Sequence, residues 1–350
     1  MILDRPPGIF AHGGLFLHIA IFTQSIIIRW IEKVSEGKME NLVICLNAVL
    51  PLLCIMLLGY CARRMGMLGD SEVIRMNSIG FFFFVPCLLF DSVYSADLSG
   101  AVDIKLMLFA AATVAIPFFA AHFIIVCKVE GKKKQSVAIM GIFRSNCALV
   151  GMHMVKSLMP GADISVAAIL ITVVAIVNNF FGVICMSIFS EQKNSARDVV
   201  LNIIKNPLLI SCFAGIIFAY FGWRLPTFAE SLVSDIADMS SPLLLFLLGA
   251  FFKFEGVGKF GRELVMICVG RLIVVPAVFL PLAWWLGFRG VGFAALLGCL
   301  AAPVASTSFT MAQQMGADAE LAGDAVVFSS LLCPLTIFVW CVLAKNLGLM

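Results

Sequence analysis

Two short polar runs interrupt otherwise apolar sequence, and their residue types suit the reversible capture of an anion. The first lies in Gly141-Ile142-Phe143-Arg144-Ser145-Asn146-Cys147-Ala148-Leu149-Val150-Gly151-Met152-His153, the second in Ala301-Ala302-Pro303-Val304-Ala305-Ser306-Thr307-Ser308. A guanidinium such as that of Arg144 grips a carboxylate through two parallel bonds, which an ammonium cannot do. Asn146 both donates and accepts, and Ser306 and Thr307 add hydroxyls. Pro303 removes one backbone donor and blocks another helical bond, so the carbonyl and amide groups it frees need partners in protein, water or ligand. Asn178 and Asn179 form an unusual polar pair in an apolar stretch. Adjacent positions do not share a helix face, so one of the pair, taken as Asn178, is expected to line the site. The same residue types also serve a helix break structurally, Arg144 as an ion-pair partner or carbonyl cap and Asn146 as a partner for freed backbone, and the sequence leaves both roles open.

Two titratable residues are candidates for coupling. His153 has a free pKa of about 6.5, within the working range, although a histidine on an apolar helix also serves as a simple hydrogen-bonding group. Asp91 falls inside an apolar stretch, where acids are functional suspects by default. Arg271, in another apolar stretch, needs a partner, for which Asp91, Asp235 and Asp238 are candidates. Small residues, Gly151 in one run and Ala305 in the other, would let two helices cross closely.

The elements that carry these residues follow from composition. With 61% hydrophobic and 13% charged residues in 350, the chain lies far outside the range of soluble domains. Apolar windows fall at 42–61, 77–95, 105–127, 136–157, 165–189, 206–222, 231–252, 264–287, 292–313 and 324–344. Each is close to the roughly 20 residues that a helix needs to cross a hydrocarbon layer about 30 Å thick, whereas barrel strands are about 10 residues long and alternate. Asn146 is ten residues from Ser136 and Pro303 eleven from Gly292, which puts them about 15 and 16 Å deep at 1.5 Å per residue. The two irregular points should therefore meet near the midplane, where the fourth and ninth spans break.

The spans repeat at an offset of about 155 residues: Pro86-Cys87-Leu88-Leu89-Phe90 returns as Pro242-Leu243-Leu244-Leu245-Phe246, Val114-Ala115-Ile116-Pro117 as Ile273-Val274-Val275-Pro276, and Met159-Pro160-Gly161-Ala162-Asp163 as Gln314-Met315-Gly316-Ala317-Asp318. Each repeat holds five spans, and an odd repeat inserts upside down relative to its twin. The fold class is thus an all-α integral membrane protein, ten transmembrane helices in two inverted five-helix repeats with broken, crossing helices four and nine. Residues 39–190 form the first repeat, 191–205 a linker and 206–350 the second repeat; residues 1–38 form an extension that is an extra span, a surface helix or sequence ahead of a true start at Met39. One set of alternate loops carries thirteen lysines and arginines, and the opposite loops with the carboxy-terminal tail carry five. The positive-inside rule then puts the linker in the cytoplasm and both ends of the ten-span core outside it.

Several functions are excluded. There is no G-x-x-x-x-G-K-[ST], so energy must come from a gradient of protons, sodium or the anion itself. There is no H-E-x-x-H, and the four histidines are dispersed, so nothing points to an intramembrane enzyme. The twelve cysteines form no C-x-x-C pair and read as packing residues rather than metal ligands. A net charge of +3 without a long basic run gives no footing for nucleic acid.

From about residue 40 to the carboxy terminus the chain resembles the auxin efflux carrier family, which includes plant auxin carriers and bacterial organic-acid permeases. The similarity is carried by Asn146 to Met154, by Asn206-Pro207-Leu208-Leu209, by Pro242 to Gly249, and by Ala302-Pro303 followed by Ala312 and Gly316. The resemblance implies ten helices in two inverted repeats, with helices one, two, six and seven as a scaffold and the rest as a transport domain. It implies elevator-type movement of a small carboxylate bound at the crossing of helices four and nine, and homodimers formed through the scaffold; no cofactor is expected beyond coupling to protons or sodium. A bacterial cytoplasmic membrane is the expected location. One departure stands out: His153 occupies a position where the plant carriers have proline, so the break in helix four could be weaker or displaced. The alternatives to such a carrier are a sodium-coupled symporter of the bile-acid-carrier type and a membrane sensor that binds an anion without moving it.

Overall fold

The structure, a computed structural model, describes residues 36–95, 103–189, 204–253 and 260–350, with side chains from Leu42 onward. The extension up to residue 35 and linker residues 191–203 lie outside the described residues. Two units result, Met1–Val43 and Ile44–Met350; of the first, only the start of a helix is described.

Every described element is helical: α1 Glu36–Arg64, α2 Asp70–Tyr94, α3 Ile104–Lys128, α4 Lys132–Phe143, α5 Cys147–Leu158, α6 Ser165–Ile188, α7 Pro207–Phe221, α8 Thr227–Phe251, α9 Gly261–Trp285, α10 Gly290–Ala301, α11 Thr307–Gln314 and α12 Ala319–Asn346. Seven of them, α1 (from Leu42), α2, α3, α6, α8, α9 and α12, are long and apolar enough to cross a membrane. Between 33% and 56% of each such span is buried within the fold. The remainder presents side chains such as Phe83, Phe123 and Phe228 outward, a surface suited to lipid rather than water. The chain is a multi-pass membrane protein.

Two kinds of irregularity shape the spans. The sequence Gly-x-x-x-x-Val-Pro occurs in α2 as Gly80 to Pro86 and in α9 as Gly270 to Pro276, and in both the first five residues form a π turn. Proline has no N–H and its ring collides with the carbonyl four residues back. A wide turn, closed by Val85 N–H to the Gly80 carbonyl and Val275 N–H to the Gly270 carbonyl, makes room for the ring. In α9 the carbonyl that Pro276 leaves without a helical donor, that of Leu272, accepts Trp340 Nε1 of α12 at 3.1 Å. The second irregularity is complete interruption. The fourth apolar window divides into α4 and α5, and the ninth into α10 and α11.

Helix ends carrying basic residues meet in groups. Arg63 at the end of α1 and Lys253 after α8 both contact Asp70 at the start of α2, at 2.7 and 3.4 Å, and Lys134 of α4 lies 3.7 Å from Glu263 of α9. Between these ends α1 and α8 approach backbone to backbone, since a Cβ on Gly249 would lie 1.8 Å from the Met56 carbonyl oxygen. Only glycine permits that approach.

Candidate functional site

The two interruptions meet. Ser145, between α4 and α5, and Val304, between α10 and α11, form an antiparallel bridge, closed by Asn146 N–H to the Pro303 carbonyl at 2.8 Å and Ala305 N–H to the Arg144 carbonyl at 3.3 Å. This is the non-hydrogen-bonded type of antiparallel pair, so the backbone groups of Ser145 and Val304 themselves point away from the bridge. Neighbouring helices reach two of them. Val304 N–H donates to Ser329 Oγ of α12 at 3.0 Å, and the Ser145 carbonyl receives Asn178 Nδ2 of α6 at 3.4 Å. Below the bridge α5 and α10 are in contact, with Gly298 against Gly151.

Two buried guanidiniums, each 2% exposed, flank the crossing. Arg271, from the π turn of α9, donates to the carbonyls of Ala302, Phe143 and Cys299 at 3.0, 3.1 and 2.8 Å, and also to those of Ile142 and Leu300. Arg144 donates to Asn179 Oδ1 at 2.6 Å and rests against Met311 Sδ of α11. Among the described residues neither guanidinium has an aspartate or glutamate within 4.0 Å.

Around this frame lie polar groups with little protein to bond. Asn146 and Ser306 begin α5 and α11 without a side-chain capping bond, and both are buried, with Thr307 half-buried beside them. Asn178 Oδ1 and Ser308 Oγ are buried and have no hydrogen-bond partner among the described residues. At the start of α5 the N–H groups ahead of Val150 are also without helical acceptors, as at every helix start, whereas at the start of α11 Ser308 N–H and Phe309 N–H donate to the Ala305 and Ser306 carbonyls at 2.9 and 3.2 Å. Positive helix ends, orphan donors and an acid-free guanidinium together favour a negatively charged guest.

Some expected residues are arranged differently. Pro303 lies within the second break, as its chemistry requires. Gly151 does lie at the helix contact, but its partner there is Gly298; Ala305 sits in the break and bonds the Arg144 backbone. Both asparagines of the α6 pair, not one, reach the first break: Asn178 touches Ser145 and Asn179 holds Arg144. The first break lies upstream of His153, which sits within α5, is exposed, and bonds through Nδ1 to the Leu149 carbonyl of its own helix at 2.6 Å. Asp91 is half-buried on α2 and receives the Ser95 hydroxyl at 3.2 Å. Among the described residues Arg271 finds no acid within 4.0 Å; its partners are carbonyls.

Sequence reasoning passed over Ser329, Ser308 and a polar link between α2 and α11. In that link Asn77 Nδ2 donates to Gln313 Oε1 at 2.6 Å, Thr310 Oγ1 to Asn77 Oδ1 at 2.9 Å, and Gln314 Nε2 to Ser78 Oγ at 2.8 Å. The cluster Thr310, Gln313 and Gln314 on one short helix was the available signal.

Known proteins show the family of the chain. The family described as membrane transport protein matches residues 44–341. An uncharacterized transporter of Methanothermobacter thermautotrophicus is 21% identical over 314 residues, 85% of this chain and 97% of that protein. A Rhizobium meliloti protein named "Putative malonate transporter" is 28% identical over 154 residues, 42% of this chain and 47% of that protein. With the match running from α1 into α12, the chain belongs to the membrane transport protein family, that of the auxin efflux carriers, whose members are transporters rather than enzymes.

Proposed function

We propose that the protein is a secondary active transporter of small organic anions, carboxylates in particular, and that the anion is held where α4–α5 crosses α10–α11. One observation carries this reading: Arg144 is buried beside two helix amino termini and has no carboxylate within 4.0 Å among the described residues. A carboxylate guest would complete it, with Asn146, Ser306 and Thr307 supplying further donors and Asn178 accepting from a hydroxyl or water of the guest. The name of the Rhizobium meliloti relative, a malonate transporter, supports a small acid of this kind.

The fuller architecture is part of the proposal. Seven long spans, the interrupted pairs α4–α5 and α10–α11, and the short α7 would make ten crossings in two inverted repeats. Alternating access would come from elevator movement of α3–α6 and α9–α12 against α1, α2, α7 and α8, in a homodimer joined through the latter group. The grouping of Arg63, Lys253 and Lys134 at helix ends supports a cytoplasmic placement for those ends, with both termini of the core on the other side of a cell membrane. A gradient of protons, sodium or the anion would supply the energy.

The test is flux of labelled small carboxylates, malonate among them, into proteoliposomes with and without imposed pH and sodium gradients, for the parent and Arg144→Ala. Uptake that follows a gradient, with affinity about 10- to 100-fold weaker in the variant, is the expected outcome for a lost charge-assisted contact. Folded parent protein that moves none of the acids would overturn the reading.

A further inference from the structure

Arg271 is among the largest fully buried side chains of the described residues, and its five hydrogen bonds all go to backbone carbonyls. Those carbonyls belong to the last turns of α4 and α10 and to the first residue beyond α10, the two half-helices that end at the crossing. The final carbonyls of a helix have no acceptor role within it and carry the negative end of its dipole. Two such ends brought together would attract a cation. A planar guanidinium spans both ends at once, whereas an ammonium concentrates its donors at one point. With these ends occupied, the amide start of α5, the uncapped side chains of Asn146 and Ser306, and Arg144 remain at the crossing.

We infer that Arg271 is a positioning residue of the transport site: it holds α4 and α10 in register and neutralises their carbonyl ends, so that the crossing favours an anion, without itself touching the guest. The preference for an anion rests on the function proposed above; the positioning does not. The location of Arg271 in the π turn of α9 explains how one side chain reaches both half-helices. The turn widens the backbone where the arginine departs.

The two parts are read separately in the full chain. Cysteines introduced by Ser145→Cys and Val304→Cys face each other across a non-hydrogen-bonded pair, where Cα atoms are about 4.5 Å apart and a disulfide can form. Their oxidation is followed by mass spectrometry of the linked peptides in membranes, with Arg271 intact, Arg271→Lys and Arg271→Gln. Carboxylate KM and maximal rate are measured for the same arginine substitutions without the added cysteines. The linked peptide should fall several-fold in both variants, and KM should rise about tenfold in Arg271→Gln, as loss of a charge at paired helix ends implies. A residue that only aided folding would lower the amount of active protein and leave KM unchanged. Arg271→Lys retains the charge and serves if the glutamine variant does not fold. Folded variants with parental cross-linking and parental KM would overturn the inference. If the parent carries no carboxylate, the function proposed above fails, and the linked-peptide yield alone decides whether Arg271 positions the breaks.

Discussion

Gly298 and Gly151 meet backbone to backbone: a Cβ on Gly298 would lie 2.8 Å from the Gly151 Cα and 3.1 Å from its carbonyl oxygen. The neighbouring atoms are main chain, so they cannot swing aside as a flexible side chain would. Gly298→Ala should lower stability by about 1–3 kcal/mol, the usual cost of overpacking, and should shift α5 relative to α10. Gly261→Ala, with nothing within 4 Å of its added Cβ, is the control. Thermal unfolding of the purified proteins in detergent measures both; equal midpoints would mean that the helices are not this close.

Ser329 serves the break through its hydroxyl, which receives Val304 N–H at 3.0 Å while donating to the Val326 carbonyl of its own helix. Ser329→Ala removes the acceptor and leaves a buried N–H unsatisfied, at a cost of about 1–3 kcal/mol. The measurement is again the unfolding midpoint. Ser329→Thr keeps the hydroxyl and should lose less than the alanine variant.

Asn179 holds Arg144 at 2.6 Å through its side-chain oxygen. Asn179→Asp is nearly the same shape and would put a carboxylate on the guanidinium, in competition with the guest. Flux of labelled carboxylates should fall about tenfold or more, because burying a carboxylate beside Arg144 cancels the charge offered to the guest, while the unfolding midpoint stays near the parental value. Retained flux would mean that Arg144 does not meet the anion.

His153 is exposed and, among the described residues, bonds within α5. His153→Ala should therefore leave the dependence of flux on pH as it is in the parent. A profile displaced by the substitution would return His153 to the coupling mechanism.

The breaks were legible because Pro303 and the run Arg144 to Asn146 are polar or helix-breaking residues in apolar sequence. The partners of Arg271 were not, since a backbone carbonyl has no letter of its own and the sequence suggested only aspartates. Gly298 was hidden for a related reason: which small residues touch depends on the crossing angle, and Ala305 lies too far into the irregular segment to belong to the helix contact. His153 stands out for its free pKa, and its place relative to the break could not be read from spacing. Asn146 has φ −82° and ψ 52° and lies outside the helix, so no helical phase passes through it. The start of α2 at Asp70 rather than near residue 77 was missed because its first turns hold Asp70, Ser71, Glu72 and Arg75, a polar beginning suited to a helix end at the membrane surface.

The bonds from Arg271 to Ile142 and Phe143 join residues 129 and 128 positions apart. During synthesis, then, α4 and α5 emerge long before the side chain that closes the end of α4 exists, and before Val304 can pair with Ser145. Bare carbonyls in hydrocarbon are costly. The newborn first half must keep those groups hydrated, or shielded by whatever inserts it, until α9 and the α10–α11 segment arrive. Substitutions at Arg271 should accordingly harm biogenesis before they harm the finished molecule.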